Sequence, residues 1–308
     1  MDNIKHCTIC NSDQIHSIYW VPDRHYGIQG EYNISKCNTC GLVFLNPMPN
    51  EKELADFYPQ ESYYSYNISY KRRNSVKNLI SSMLFLGYEP KDNKLLTKMG
   101  NGKGKKMLDV GCGNGWFIYQ WKNRGWDVYG VEPGLNGAKT GRKAGLNIHH
   151  GDLLSAKFES ESFEYIRLNH SFEHIHNPDE ILQEIHRILK PEGTLFIGVP
   201  NINSFNGKLF KQYWYYLGAP FHTYSYSDKT LPVFLEKQGF KVKKIMYNSW
   251  FMGLLGSFQI FLNRKSGKPS EQGFFIENKL FQTIAGFVSR LTNLFHVGDC
   301  IEVIAVKK

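Results

Sequence analysis

An α/β protein built on a parallel, doubly wound sheet, with a small metal-binding ribbon ahead of it, is what this sequence predicts. Three observations carry the prediction. Two Cys-x-x-Cys pairs lie in the first 40 residues; a short apolar strand at 105–110 runs straight into glycines at alternate positions and then into a helical pattern; and from there to residue 200 strand-like and helix-like segments alternate. The 308 residues suit about two domains, and a composition of 42% hydrophobic and 21% charged residues is that of an ordinary folded chain, which excludes disorder, collagen and coiled coil.

The pairs Cys7-x-x-Cys10 and Cys37-x-x-Cys40 have the spacing of a four-thiolate structural zinc site, because two such turns let four soft ligands converge tetrahedrally. Residues 17–21 and 32–36 read as short strands between them, so a zinc ribbon is expected over 1–50, too small to be stable without its metal. His6 is read as a bystander. A linker and helical lead-in is expected over 51–104, with Tyr58, Tyr63, Tyr64, Tyr66 and Tyr70 lining a pocket or packing two domains together, and a helical stripe of Val76, Leu79, Ile80, Met83 and Leu84. The opening residues carry no apolar stretch after their first lysine, so no secretory signal is read there and a reducing, cytoplasmic setting is expected.

The main domain is expected over 105–308. Its strand at 105–110 ends in Asp109-Val-Gly111-Cys-Gly113-Asn-Gly115, where glycines permit a tight turn and close backbone approach to a ligand. Glu132 ends the next strand, 21 residues after Gly111, where an acid commonly grips ribose hydroxyls; Asp152 follows the third strand. A nucleoside-binding crevice is the reading, and the absence of a GxxxxGK[ST] sequence removes the phosphate-gripping loop from consideration.

The order Asp-x-Gly-x-Gly-x-Gly, rather than GxGxxG, resembles motif I of the class I S-adenosylmethionine-dependent methyltransferases. The resemblance covers about residues 105–250. It implies that Asp109, Gly111, Gly113 and Gly115 hold the methionine part of S-adenosyl-L-methionine, that Glu132 binds its ribose, that Asp152 and Leu153 lie on the adenine side, and that residues 163–175, with Asn169, form the fourth strand and its loop. It implies a Rossmann-like sheet of order 3214576. The ribbon, the segment 41–47 and Tyr63-Tyr64 are similar to the zinc-ribbon-bearing members of that family that act in bacterial polysaccharide and sugar biosynthesis. A sugar or other small polar acceptor, nucleotide- or lipid-linked, is the substrate this implies. His170 and His174 lie four apart after the fourth strand, and His222 follows the fifth; each is a candidate general base, with Glu173 orienting a histidine or binding substrate. His174 and His222 occupy positions similar to active-site positions of the resembled family. His149, His150 and His176 are read as surface or packing residues.

The remaining elements follow the same alternation. Asn177 with Pro178 starts a helix, residues 194–199 form a buried strand, Ser227 caps a helix in which Pro232 is a departure, and 240–247 and 299–306 are the last strands. The insertion 251–296 between them reads as two apolar helices, one over 250–262 and one with the stripe Leu280, Phe281, Ile284, Phe287, Val288, Leu291, Leu294 and Phe295. With Arg264, Lys265 and Lys268 between, this pair is expected to rest on an anionic membrane, the inner membrane of a bacterium, or to cover the sheet or a second subunit. No apolar run reaches the roughly 18 residues that span a bilayer. The net charge of +9 is uneven: −3 over 1–60, +7 over 61–106, −3 over 107–200 and +8 over 201–308. Nucleic acid is therefore not the expected partner, though an RNA methyltransferase is one rival reading and a non-catalytic binding module another.

Overall fold

The computed structural model describes residues 1–57, 92–266 and 273–308. The tyrosines at 58, 63, 64, 66 and 70, the stripe at 76–84 and Lys268 fall outside them.

The main sheet has seven strands. The first three, β4 (Lys106–Val110), β5 (Asp127–Glu132) and β6 (Asn147–His150), run parallel, and β7 (Phe163–Asn169) and β8 (Leu189–Pro200) run parallel on the other side of β4. Two antiparallel strands, β10 (Phe240–Asn248) and β11 (Cys300–Lys307), complete the order β10-β11-β8-β7-β4-β5-β6. Counted within this domain, that is 3214576, the order that the resemblance implies. The sheet winds outward in both directions from β4, so a crevice opens beyond the carboxyl ends of β4 and β7. Helices on both faces leave the central strands no wet side; Leu108, Ile166, Leu168, Ile197 and Val199 are fully buried, which is why these segments read as continuous apolar runs.

Local chemistry sets the helices α3 (Trp116–Lys122), α4 (Leu135–Lys143), α5 (Pro178–Ile188) and α7 (Thr230–Lys237). Pro178 stands at the start of α5, where its missing N–H costs nothing, but the expected cap differs: Asn177 makes no side-chain cap and instead donates Nδ2 to Glu180. Ser227 accepts from the amides of Lys229 and Thr230, and α7 begins only at Thr230. Pro232 falls in the first turn of α7, where its amide would have had no helical partner, so it neither kinks nor shortens the helix.

The N-terminal unit is not free-standing. Its strands β1 (Ile15–Pro22), β2 (Glu31–Cys37) and β3 (Val43–Leu45) form a second sheet whose fourth member is β9 (Tyr224–Ser225), from the loop after β8. Sequence reasoning separates 1–50 from 105–308; the sheet joins them, because a two-residue strand at position 224 carries no legible pattern. Lys237 adds a hydrogen bond to the Ile9 carbonyl and Thr8 one to the Tyr224 hydroxyl.

In the insertion, α8 (Phe251–Asn263), the short α9 (Phe274–Glu277) and α10 (Lys279–Leu294) pack together. The face of α10 turned inward is Gln282, Ala285, Gly286, Ser289 and Thr292, whereas Leu280, Ile284, Phe287, Leu291, Leu294 and Phe295 are exposed. The apolar stripe therefore does not cover the sheet. Its opposite, small-residue face does the packing, since Ala, Gly and Ser let two helices approach closely.

Candidate functional site

The glycine turn after β4 has the backbone its composition requires. Gly111, Gly113 and Gly115 have φ of 76°, 57° and 80°, and a Cβ on Gly111 would sit 2.4 Å from that of Ser171. Ser171 in turn donates to the Val110 carbonyl over 2.7 Å, so the loops after β4 and β7 are locked together.

Glu132 is buried at the end of β5, its carboxylate accepting from the Gly113 and Gly134 amides, both over 2.7 Å. It thus shapes the glycine turn. Asp109 is buried too and pairs with Arg167, 3.0 Å away, whose guanidinium lies 3.8 Å from the centre of the Phe117 ring. The register explains the pair: Asp109 and Arg167 are direct partners on parallel strands and point to one face. Asp152 is exposed and accepts from the Ser155 amide, and Leu153 is buried in the core beside it. At the end of β7, the buried Asn169 Oδ1 has no hydrogen-bond partner. An orphaned acceptor, a carboxylate at the end of β5 and a turn with glycine at alternate positions fit the methionine and ribose ends of S-adenosylmethionine.

The histidines assemble around Glu173. A 3₁₀ turn, Phe172–His174, follows β7 and buries Glu173 to 1% exposure. His170 Nδ1 lies 3.5 Å and His222 Nε2 4.0 Å from Glu173 Oε1, and the rings of His174 and His222 meet edge to face at 4.7 Å. His170 is held in the left-handed region, φ 53°, its amide donating to the Gly198 carbonyl. Both His174 and His222 donate from Nδ1 to backbone carbonyls, of Phe221 (3.0 Å) and Tyr216 (2.9 Å), which leaves the lone pair of each neutral ring on Nε2. Burial, with the neighbouring His174, pushes His222 down to about 3, and burial lowers His174 as well. Burial opposes ionisation of Glu173, yet the hydrogen bond from His170 and the surrounding imidazoles outweigh it and hold the carboxyl at about 2. His149 bonds to Ser155, and His150 is exposed.

Three contributors escape a sequence reading. Arg167 hides in an apolar strand. Gly218 seats His222, since a Cβ there would fall 2.4 Å from the ring. Thr223, fully buried, donates its amide and hydroxyl to the Glu173 carbonyl, at 2.8 and 3.0 Å, while its own carbonyl accepts from the Leu45 amide of β3. Only the two hydrogen-bonding residue types flanking a short strand could have signalled it.

The four cysteines converge. Sγ atoms of Cys7 and Cys40 are 3.5 Å apart and those of Cys10 and Cys37 3.6 Å, and all four lie within 4.8 Å of one another. Four thiolates at about 2.3 Å from a zinc ion stand about 3.8 Å apart, so the donor set fits.

Residues 85–245 match the model of a family described as a methyltransferase domain. Among curated proteins, the demethylmenaquinone methyltransferase of Staphylococcus aureus is 31% identical over 137 residues, 42% of this chain and 55% of that protein. The chain spans about half the length of the curated relatives it matches. Among solved structures, Haemonchus contortus phosphoethanolamine N-methyltransferase 2, in complex with phosphomonomethylethanolamine and S-adenosylhomocysteine, aligns at TM-score 0.51 and 18% identity, covering 86% of this chain and 62% of that one. A possible histamine N-methyltransferase from Thermotoga maritima aligns at 0.49 and 19%, covering 76% and 96%.

Proposed function

The chain belongs to the methyltransferase-domain family, and on that premise we propose that it transfers the methyl group of S-adenosyl-L-methionine to a small polar acceptor, a sugar or polysaccharide precursor carried on a nucleotide or a lipid. The observation that carries this reading is the buried Glu173 carboxylate ringed by His170, His174 and His222 beside the glycine turn. Bound there, S-adenosylmethionine supplies a methyl group on a cationic sulfur. Glu132, Asn169 and the glycine turn hold it, with Asp109, paired to Arg167, at the end of the strand that feeds the turn. The histidine cluster then serves the acceptor: it takes the proton of a hydroxyl, and Glu173 stabilises the cation that results, a contribution of about 10²–10⁴ in rate. Alignment of acceptor and methyl supplies much of the remainder.

Two measurements test the reading. Calorimetry should give S-adenosylmethionine binding weakened about 10–100-fold in Glu132→Ala, the worth of a charge-assisted contact to ribose; an unchanged Kd removes Glu132 from the site. Methyl transfer onto sugar nucleotides and lipid-linked sugars should fall at least 100-fold in His174→Ala with cofactor affinity within about twofold; equal loss of both would remove the histidine from the chemistry.

The four thiolates hold a structural zinc ion in this reading. Its work is to brace β2 and β3, and through them Thr223. The exposed stripe of α10 supports a place of action at an anionic membrane surface: Lys279 and Arg290 lie on α10 itself, Arg264 and Lys265 follow α8, and neither α8 nor α10 contains an acidic residue. Among the described residues no helix is long and apolar enough to cross a membrane.

A further inference from the structure

We propose that Glu173, His174 and His222 form a second metal site, distinct from the four cysteines, which binds one divalent first-row transition ion through two imidazole nitrogens and one carboxylate oxygen and leaves positions open toward the crevice. The inference deepens the proposed methyl transfer and rests on it for its purpose, though not for its geometry.

Three observations place the ion. One ligand atom from each of the three residues lies within 4.8 Å of the others, and His222 Nε2 stands 4.0 Å from Glu173 Oε1. Ligands bonded at about 2.0–2.2 Å in tetrahedral or octahedral geometry spread over about 3–4 Å, so a small inward shift closes the set. Glu173 is 1% exposed and, apart from His170 at 3.5 Å, its carboxylate has no hydrogen-bond partner, so a buried charge there is only partly answered by the side chains around it. Finally, the Phe221 and Tyr216 carbonyls take the Nδ1 protons of His174 and His222. A backbone acceptor behind a ring is the usual support of a histidine that ligates through its other nitrogen, because it fixes both tautomer and orientation.

Two nitrogens and one oxygen suit zinc, manganese or iron(II) better than magnesium or calcium, which prefer all-oxygen shells. The chemistry follows from the location beside the glycine turn. An acceptor hydroxyl that reaches the ion's open position becomes more acidic, and its proton passes to His170, whose ring is 3.5 Å from Glu173 and one fifth exposed. The acceptor oxygen then forms its bond to the methyl carbon while the carbon–sulfur bond breaks, and that electron pair stays on sulfur as a neutral thioether. The division of labour within the cluster is thus two ligating histidines and one proton carrier.

Cobalt(II) is the probe, added to full-length protein whose cysteine site already holds zinc. One equivalent should bind, with a visible ligand-field spectrum and no thiolate-to-cobalt charge-transfer band. Affinity should drop at least tenfold in Glu173→Gln and in His222→Ala, each checked for an unaltered circular dichroism spectrum, and stay unchanged in His149→Ala. Failure of cobalt to bind, binding that brings thiolate bands, or equal affinity in both variants overturns the site. S-adenosylmethionine calorimetry on the same samples separates the two ideas: cobalt uptake without cofactor binding would sink the methyl-transfer reading and leave the metal site standing, while cofactor binding without cobalt uptake would do the reverse.

Discussion

Arg167 is the residue whose role is most clearly set by physics and least visible in the sequence. Its neighbours in β7 are apolar, and a lone arginine in such a run reads as a strand end facing water. The structure buries it to 6% against Asp109, under the ring of Phe117. Breaking a buried pair from one side strands the other charge, at a cost of about 3–5 kcal/mol, while replacing both by apolar residues of similar size is close to neutral. Urea unfolding of Arg167→Met should therefore show a loss in that range, and Asp109→Leu combined with it should recover most of it. A double variant no better than the single one would mean that Arg167 stabilises by packing on Phe117 alone. By contrast, the glycine turn was legible residue by residue, because a left-handed backbone at alternate positions leaves glycine as the natural choice, and Glu132 was legible as the acid that ends the next strand, though not as the acceptor of the turn's amide. Glu173 was visible only as one candidate among several, since burial is what gives it its character, and burial is decided by Thr223 and Gly218, some 50 positions away.

Among elements, the parallel strands and α5 followed from apolar runs, a proline at the first turn and a charged last turn. What escaped were β9, only two residues long, and the orientation of α10, where periodicity identified the apolar stripe but could not say which side the protein would keep. Strand β9 matters more than its length suggests. The Leu45 amide bonds to Thr223, and Thr223 bonds to Glu173, so the ribbon and the histidine cluster are separated by two hydrogen bonds. A bound structural metal contributes directly to folding free energy. Stripping the cysteine-held ion with a chelator, or introducing Cys37→Ser, should lower the melting temperature of the full chain by about 5 °C or more and reduce turnover by about tenfold or more, with the loss of zinc followed by mass spectrometry. Full activity in zinc-free protein would show that β3 and β9 hold the loop without the knuckle.

At the scale of the whole molecule, charge and apolar surface coincide. The last 108 residues carry +8, and the exposed face of α10 presents Leu280, Ile284, Phe287, Leu291, Leu294 and Phe295 in the same part of the chain. Apolar insertion and attraction of Lys and Arg to anionic lipid act additively on such a surface. Sedimentation with phosphatidylglycerol vesicles should exceed that with phosphatidylcholine, weaken as salt is raised, and drop at least fivefold for Leu294→Glu, whose exposed side chain leaves the fold untouched; indifference to lipid charge would discount the surface. The sheet that β9 completes has a consequence of another kind. Cys10 and Cys40 are the two thiols of the knuckle that water can partly reach. On the proposed reading that these four thiolates hold zinc, oxidation of Cys10 and Cys40 to a disulfide by peroxide would release the ion and slacken the turn at Thr223, and a thiol reductant together with fresh zinc would restore it.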